Sequence, residues 1–283
     1  MLRALVAGAV GLCVFGCASS PAAPEVVERD APPSYEEIVQ RYNRTVEPLD
    51  TLWSRATVQI MSPDGDGGTR REQGEGYLQV ERPSRAALSI GKLGETYFYL
   101  GSDPDRFWWI DLTDERIAIV GQHDRAGAAA LAQLGVPVPP LDLIEVLGVL
   151  PLPAAPGSGQ TAWTTDGRFV VVRLPGRLGP RLLMMDPETL RLLRVDLLDR
   201  DETLLVSAEL TGMQDVRVTG RGPGAARLPR RYVITIPREE VTVRLTLYEP
   251  QTRTIAPAVF DLPGLLKRFR VDTILEPRRE AQP

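Results

Sequence analysis

The chain has 283 residues, of which 43% are hydrophobic and 25% charged, and its formal net charge is −4. This composition is typical of a folded globular protein, and the slight acidity argues against a nucleic-acid partner, which would favour a basic face. His123 is the only histidine, and Cys13 and Cys17 are the only cysteines. This scarcity excludes most metal centres and most acid–base catalytic designs.

The N-terminus is an apolar run, residues 4–16, that follows Arg3. The run is shorter than the roughly 20 residues of a membrane span and has the length of a signal-peptide core. It ends at Val14-Phe15-Gly16-Cys17, which resembles a bacterial lipobox, the sequence that signal peptidase II cuts before a cysteine. The resemblance implies that residues 1–16 are removed as a signal peptide and that Cys17 is lipidated.

The two cysteines also allow a disulfide or a metal pair. A disulfide would lie within the segment that signal cleavage discards. Two thiols four residues apart, with no further cysteine or histidine, make a poor metal site. Lipidation of Cys17 is therefore the favoured interpretation.

A flexible tether and a helix follow the cysteine. Residues 17–33 are rich in proline and alanine and lack periodicity, which indicates a tether. Ser34 and Glu37 form a capping box, and apolar residues then recur at helical spacing until Pro48. The single apolar stripe predicts a helix that packs against a larger element.

Short segments of alternating apolar and polar residues fill most of the remaining chain. They extend from Ala56 to Gly121 and resume near Thr161, with glycine, proline and aspartate between them. Tight turns favour antiparallel pairing. We predict one mostly β domain, residues 34–270, with a few helices and an antiparallel sheet of about 11 strands.

The strand pattern is interrupted between residues 122 and 160. "RAGAAALAQLG" predicts a helix, and "PPLDLIEVLGVLPLP" (139–153) predicts a second short helix with Gly148 as its terminator. The second helix is almost wholly apolar, so protein or a ligand must cover it. Residues 261–270 predict an amphipathic turn or two, and residues 271–283 predict a disordered tail.

Motifs for catalysis are missing. The sequence has no P-loop and no G-x-S-x-G elbow, "PDGDGG" is typical of a hairpin turn, and His123 in "GQHDRAG" is expected to be solvated. We expect no enzymatic activity, no metal and no cofactor.

Large aromatic side chains are dense on two successive predicted strands. Trp108 and Trp109 are consecutive and must point to opposite faces of their strand, so both faces are shielded from water. Two interpretations remain open. Helices cover one face while the other is partly buried, or a curved sheet forms an apolar ligand cavity on its concave face.

The order of these parts resembles the LolA/LolB-like lipoprotein-localisation family over about residues 35–255. A lipobox, a tether, an amphipathic helix and a first strand near Trp53 precede the antiparallel strands. Residues 139–153 look like the leucine-rich lid segment of that family, and "ARLPRRYVITIP" with "VTVRLTLYEP" is similar to its closing hairpin. The resemblance implies an unclosed half β-barrel with helices plugging its concave face, which accepts acyl chains. The lipidated N-terminus fits the LolB-like receptor better than the soluble carrier.

The resemblance also implies a function and a set of site residues. The expected protein is lipid-anchored in the outer membrane, faces the periplasm, and binds acyl chains of lipids or lipoproteins, with a periplasmic carrier protein as a partner. The alternative is a structural or protein-binding envelope lipoprotein with a filled core. Strand alternation and the lid segment give the cavity candidates, which are Ala56, Val58, Ile60, Leu78, Val80, Leu88, Ile90, Trp108, Leu143 and Leu147.

Overall fold

The computed structural model describes residues 30–124, 140–155 and 157–277. The predicted signal peptide, Cys17 and the predicted helix "RAGAAALAQLG" lie outside the described residues. All elements below belong to one compact unit, Ala31–Pro283. No helix in the described ranges is both long and apolar enough to cross a membrane.

Helix α1 (Tyr35–Val46) begins where the capping box predicts. The Ser34 hydroxyl accepts a hydrogen bond from the Glu37 backbone N–H at 3.2 Å, which satisfies one of the free donors of the first turn. The apolar stripe is buried at Ile38, Val39, Tyr42 and Val46. The helix therefore packs its apolar side against the domain, as its sequence predicts.

Over the described residues, fourteen strands form a single sheet. Neighbouring strands pair antiparallel, except that β14 pairs parallel with β6. The strands are β1 (Thr51–Pro63), β2 (Thr69–Glu81), β3 (Arg85–Lys92), β4 (Glu95–Ser102), β5 (Arg106–Asp111), β6 (Ile117–Gln122), β7 (Gln160–Trp163), β8 (Val170–Leu174), β9 (Arg181–Met185), β10 (Leu192–Leu198), β11 (Leu204–Asp215), β12 (Arg227–Ile236), β13 (Val241–Gln251) and β14 (Thr273–Leu275).

Two meanders make up the sheet and meet at β1 and β13. One passes from β1 to β6 and ends with β14, and the other passes from β13 back to β7. Among the described residues no pairing joins β7 to β14, so the sheet is unclosed, as predicted.

The strand number exceeds the predicted value of about 11. Strand β14 (Thr273–Leu275) has only three residues and lies beyond residue 270. Three residues are too few to show a period of two, so the sequence pattern could not reveal this strand. The ordered fold extends at least to Leu275.

Two further helices and two 3-10 turns complete the described elements. Helix α2 (Pro140–Val146) and helix α3 (Leu262–Phe269) fall in the segments predicted to be helical. The 3-10 turns are Pro237–Glu239 and Pro257–Val259. Gly148 follows α2 with φ +67°, a conformation that favours glycine, so its role as terminator is confirmed.

The larger hydrophobic core lies on one face of the sheet, which we call the inner face. Ala86 of β3 and Val172 of β8 belong to this core, although seven strands separate β3 from β8 in the sheet. Side chains so far apart can share a core only if the sheet curves around it. The inner face is therefore the concave face of a half-barrel.

A smaller core lies on the opposite, outer face of β3–β6. There Tyr99, Trp108 and Ile110 pack against Leu262 and Leu265 of α3. The other tryptophan, Trp109, points inward, and its ring centroid lies 5.3 Å from that of Phe98. Both faces of β5 are shielded, as predicted from the consecutive tryptophans.

Candidate functional site: the inner face and the segment that covers it

Most predicted cavity residues share the inner face. Strand pairing places Ala56 opposite Gly76 and Gly76 opposite Ile90, and directly paired residues point to the same side of a sheet. Of the predicted residues, Ala56, Val58, Leu78, Val80, Ile90 and Leu147 are buried in the inner core, and Ile60 and Leu88 are partly buried against it. The side chain of Leu143 lies outside the described residues.

Trp108 does not lie with the other predicted residues. It belongs to the outer core, and its pairing with Gly101 places it over a position without a side chain. A Cβ at Gly101 would lie 2.7 Å from the Trp108 indole. The alternation rule could not assign the face, because both tryptophans are apolar. Trp109 is the inward-facing member of the pair.

The inner face is covered by α1 and by residues 140–153, which we call the plug segment. The segment contributes five buried apolar side chains to the inner core or its margin. They are Ile144, Val146, Leu147, Val149 and Leu152. The sequence predicts that protein or a ligand covers this apolar segment. Its position between α1 and the sheet provides that cover.

Polar side chains of α1 hold the backbone of the plug segment. The Tyr42 hydroxyl donates to the Gly148 carbonyl at 2.9 Å. Asn43 donates through Nδ2 to the Leu152 carbonyl at 2.9 Å and accepts through Oδ1 from the Leu152 N–H at 2.7 Å. The Asn43 amide thereby satisfies both backbone polar groups of Leu152, as a neighbouring β-strand would. Sequence reasoning missed this role, because nothing in the local pattern couples Asn43 to a residue more than one hundred positions away.

A strand of the sheet holds the plug segment from the other side. The Tyr232 hydroxyl of β12 donates to the Leu147 carbonyl at 3.2 Å. Burial raises the pKa of Tyr42 and of Tyr232, so both hydroxyls stay protonated and remain donors.

Charged side chains pair at the end of the plug segment. Glu145 accepts from Arg181 at 3.0 Å, and Asp142 is paired with Arg177. Burial raises the pKa of Glu145 to about 7 even though Arg181 lowers it, and burial likewise raises the pKa of Asp142 against the effect of Arg177. The loss of hydration therefore outweighs the attraction of the arginines in both carboxylates.

His123 lies beside this charged cluster and is not simply solvated. Its Nε2 lies 2.9 Å from the Asp103 carbonyl, and Arg177 donates to the His123 carbonyl at 3.2 Å. The His123 ring is half-buried near Phe107, with 5.8 Å between centroids. The contacts give the ring a structural role at the end of β6.

An open groove lies on the outer face of the sheet. This groove of about 1400 Å³ lies over the outer face of β1–β4 and beside α3, and its lining includes Arg55, Tyr77 and Phe269. Inner-face side chains such as Val172 and Leu247 are fully buried. Access to these side chains therefore requires α1 or the plug segment to move.

The described part of the chain contains no group of three or more His, Cys, Asp or Glu side chains arranged to hold a metal ion. What the inner face can do chemically is withdraw apolar surface from water. It offers branched aliphatic side chains without directional contacts, so it suits a flexible hydrocarbon chain.

Three solved structures share this architecture. A DUF1329 family protein from Desulfovibrio piger has a TM-score of 0.55 at 12% identity, covering 81% of this chain and 97% of that chain. A LolA superfamily protein from Nitrosomonas europaea has a TM-score of 0.51 at 12% identity, with coverages of 81% and 97%. A domain described as an outer membrane lipoprotein-sorting protein, from Vibrio parahaemolyticus, has a TM-score of 0.53 at 13% identity, with coverages of 82% and 98%.

No protein-family model matches the sequence, and no curated protein is similar to it. At identities of 12–13% the likeness to solved structures shows the fold alone. The LolA-like fold that the sequence predicts is confirmed.

Proposed function

We propose that this protein is an envelope lipoprotein, anchored in the outer membrane through an acylated Cys17 and facing the periplasm. Its inner face binds acyl chains of lipids or lipoproteins, which it receives from a periplasmic carrier protein. The chemistry is binding and transfer, without a catalytic group, metal or cofactor.

One observation carries this proposal. The concave side of the sheet is a largely aliphatic surface that, in the described part of the chain, is covered by α1 and by one separate segment rather than by a second sheet. The plug segment contains only seven helical residues, and side-chain hydrogen bonds from Tyr42, Asn43 and Tyr232 fasten its backbone. A short element held by a few contacts can move away without loss of the sheet.

Displacement of the plug segment sets the affinity. An acyl chain gains about 25 cal/mol for each Å² of its surface that leaves water. The measured affinity is the intrinsic affinity multiplied by the fraction of ligand-free molecules in which the plug segment is displaced, so a small fraction means weak binding. A change that loosens the plug segment should therefore tighten binding.

Tyr42→Phe tests this expectation in a chain of residues 31–283. The variant removes the hydrogen bond to Gly148, which contributes about 1 kcal/mol, so cis-parinaric acid should bind about fivefold more tightly by fluorescence titration. Native mass spectrometry should detect retained acyl mass in both proteins.

Tyr99→Phe is the matched control. The Tyr99 hydroxyl donates to the Val259 carbonyl at 2.7 Å in the outer core. The control therefore also removes one tyrosine hydroxyl, but at a site remote from the plug segment. Its probe affinity should equal that of the wild type. If neither the wild type nor Tyr42→Phe binds the probe while circular dichroism shows both folded, acyl binding is wrong.

A second candidate function rests on the packing of the inner core. Val195, Val206 and Leu247 are 0% exposed, as in a core that never opens. In that case the protein is a structural or protein-binding module of the envelope, and probe binding is absent in every folded variant.

A further inference from the structure

Arg181 is a cation on an otherwise aliphatic part of the inner face. In the sheet it is paired with Leu174 of β8 and with Leu197 of β10, and both leucines belong to the inner core. The Arg181 side chain is only 15% exposed. A charge in such a position requires a partner, because an uncompensated buried charge costs several kcal/mol.

The counter-charges come from the plug segment, whereas the arginines belong to the sheet side. Glu145 of α2 meets Arg181 at the start of β9, and Asp142 of α2 meets Arg177 in the turn between β8 and β9. Removal of the plug segment would take Glu145 away from Arg181 and Asp142 away from Arg177. Carboxylates on a movable segment thus occupy the place where a ligand would bring its own anion.

The fit between Arg181 and the plug segment is incomplete. The Arg181 Nε is buried and has no hydrogen-bond partner among the described residues. Glu145 also keeps a raised pKa beside this arginine, because burial costs its carboxylate more than the pairing returns. A ligand anion that used the remaining guanidinium donor would bind better than Glu145 does.

We infer that Arg181, with Arg177 beside it, recognises the anionic head group of an acyl ligand, and that Glu145 and Asp142 fill this subsite when no ligand is bound. The inference rests on the proposed function, because it needs the acyl chain to replace the apolar residues of the plug segment. The ligand class is then an amphiphile with one or more chains and a carboxylate or phosphate. A neutral lipid would leave Arg181 without the counter-charge of Glu145 when the plug segment moves.

Two probes of equal chain length separate the head group from the chain. cis-Parinaric acid and its methyl ester are titrated into residues 31–283 at about pH 8, where a carboxylic acid is ionised. The acid should bind about tenfold more tightly than the ester, since a charge-assisted hydrogen bond contributes about 1.5–3 kcal/mol. Glu145→Gln removes the carboxylate that both probes must displace, so both should bind more tightly while this ratio stays near that of the wild type.

The double variant Glu145→Gln/Arg181→Gln removes both charges, so neither is left buried alone. Its acid-to-ester ratio should fall to about one, while its ester affinity stays near that of the wild type. Arg173→Gln is the matched control, because Arg173 lies between two inner-core residues of β8, on the opposite face, and pairs with exposed Glu202 at 2.7 Å. It should keep the wild-type ratio.

The outcomes distinguish the inference from the proposed function. Equal affinity of the wild type for acid and ester overturns the head-group subsite and leaves acyl binding standing. A Glu145→Gln/Arg181→Gln variant that keeps the wild-type acid-to-ester ratio shows that the pair only fastens the plug segment, which also overturns the subsite. If no folded variant binds either probe, the proposed function fails and this inference fails with it.

A further measurement identifies the anion. The protein is incubated with vesicles of phosphatidylglycerol, phosphatidylcholine and palmitic acid in equal parts and then analysed by native mass spectrometry. Retained palmitate assigns a carboxylate ligand, and retained phosphatidylglycerol assigns a phosphate ligand. Preferential retention of phosphatidylcholine contradicts an anion-selective subsite.

Discussion

The buried carboxylate of Glu145 should make the domain less stable as the pH rises. Its pKa is about 7 in the folded protein, whereas the ordinary pKa of a glutamate side chain is 4.5. Below the lower value Glu145 is protonated in both the folded and unfolded states. As the pH rises toward 7 the unfolded chain loses this proton first, so the stabilisation present at low pH is progressively lost.

The two pKa values set the size of the effect. Each pKa unit corresponds to about 1.4 kcal/mol, so the difference between the two values corresponds to about 3 kcal/mol. For a domain of this size, that free energy lowers Tm by roughly 6–12 °C. Asp142, Arg177 and Arg181 face Glu145 and enter this balance, so the informative quantity is the wild-type Tm minus the variant Tm.

Differential scanning calorimetry of wild type and Glu145→Gln from about pH 5 to pH 8 measures this difference. Glutamine cannot ionise, so the wild type should lose several degrees relative to the variant over this range. Glu202→Gln is the control, because Glu202 forms an exposed pair with Arg173 and such pairs contribute little. A flat difference, or one in which the wild type gains stability as the pH rises, would refute the dominance of burial over the pairing with Arg181.

Three other changes test the anchor, the plug segment and the outer core. Cys17→Ser should leave the circular dichroism spectrum unchanged and release the protein from membranes. Retention of that variant after a high-salt wash would contradict lipid anchoring. Asn43→Ala removes both bonds to Leu152 and should lower the free energy of unfolding by about 2 kcal/mol in urea denaturation, whereas no loss would show that water replaces the amide. Gly101→Ala places a Cβ 2.7 Å from Trp108 and should cost about 1–3 kcal/mol, while Gly65→Ala, with open space around it, should cost less.

The sequence pattern predicts the helices and strands better than it predicts the contacts between them. Capping residues and a 3.6-residue period locate α1 to within a residue, and strand alternation places Ala56 and Ile90 on the same face. The pattern fails where both faces are apolar, as at Trp108, because burial on two sides removes the alternation that identifies a face.

The charged pairs of the candidate site could not be predicted from the sequence. Arg181 shares a face of β9 with Leu183 and Met185, but Leu182 and Met184 on the other face are also apolar, so alternation could not assign Arg181 to a face. Its partner Glu145 lies on another element, and no periodicity relates residues that meet only through the tertiary fold. Both members of the Glu145–Arg181 pair could therefore be assigned only from the structure.

The two candidate functions differ in whether a ligand can match what the plug segment contributes. Its five buried aliphatic residues each contribute about 1.5–3 kcal/mol on burial, or roughly 8–15 kcal/mol together. One acyl chain of about fifteen methylene groups recovers about 12 kcal/mol at 0.8 kcal/mol for each group. A single chain thus roughly replaces the apolar contacts and leaves nothing to compensate for the broken hydrogen bonds and ion pairs. A second chain, or an anion that satisfies Arg181, supplies the missing free energy, and this makes a lipid with both features a better ligand than a simple hydrocarbon.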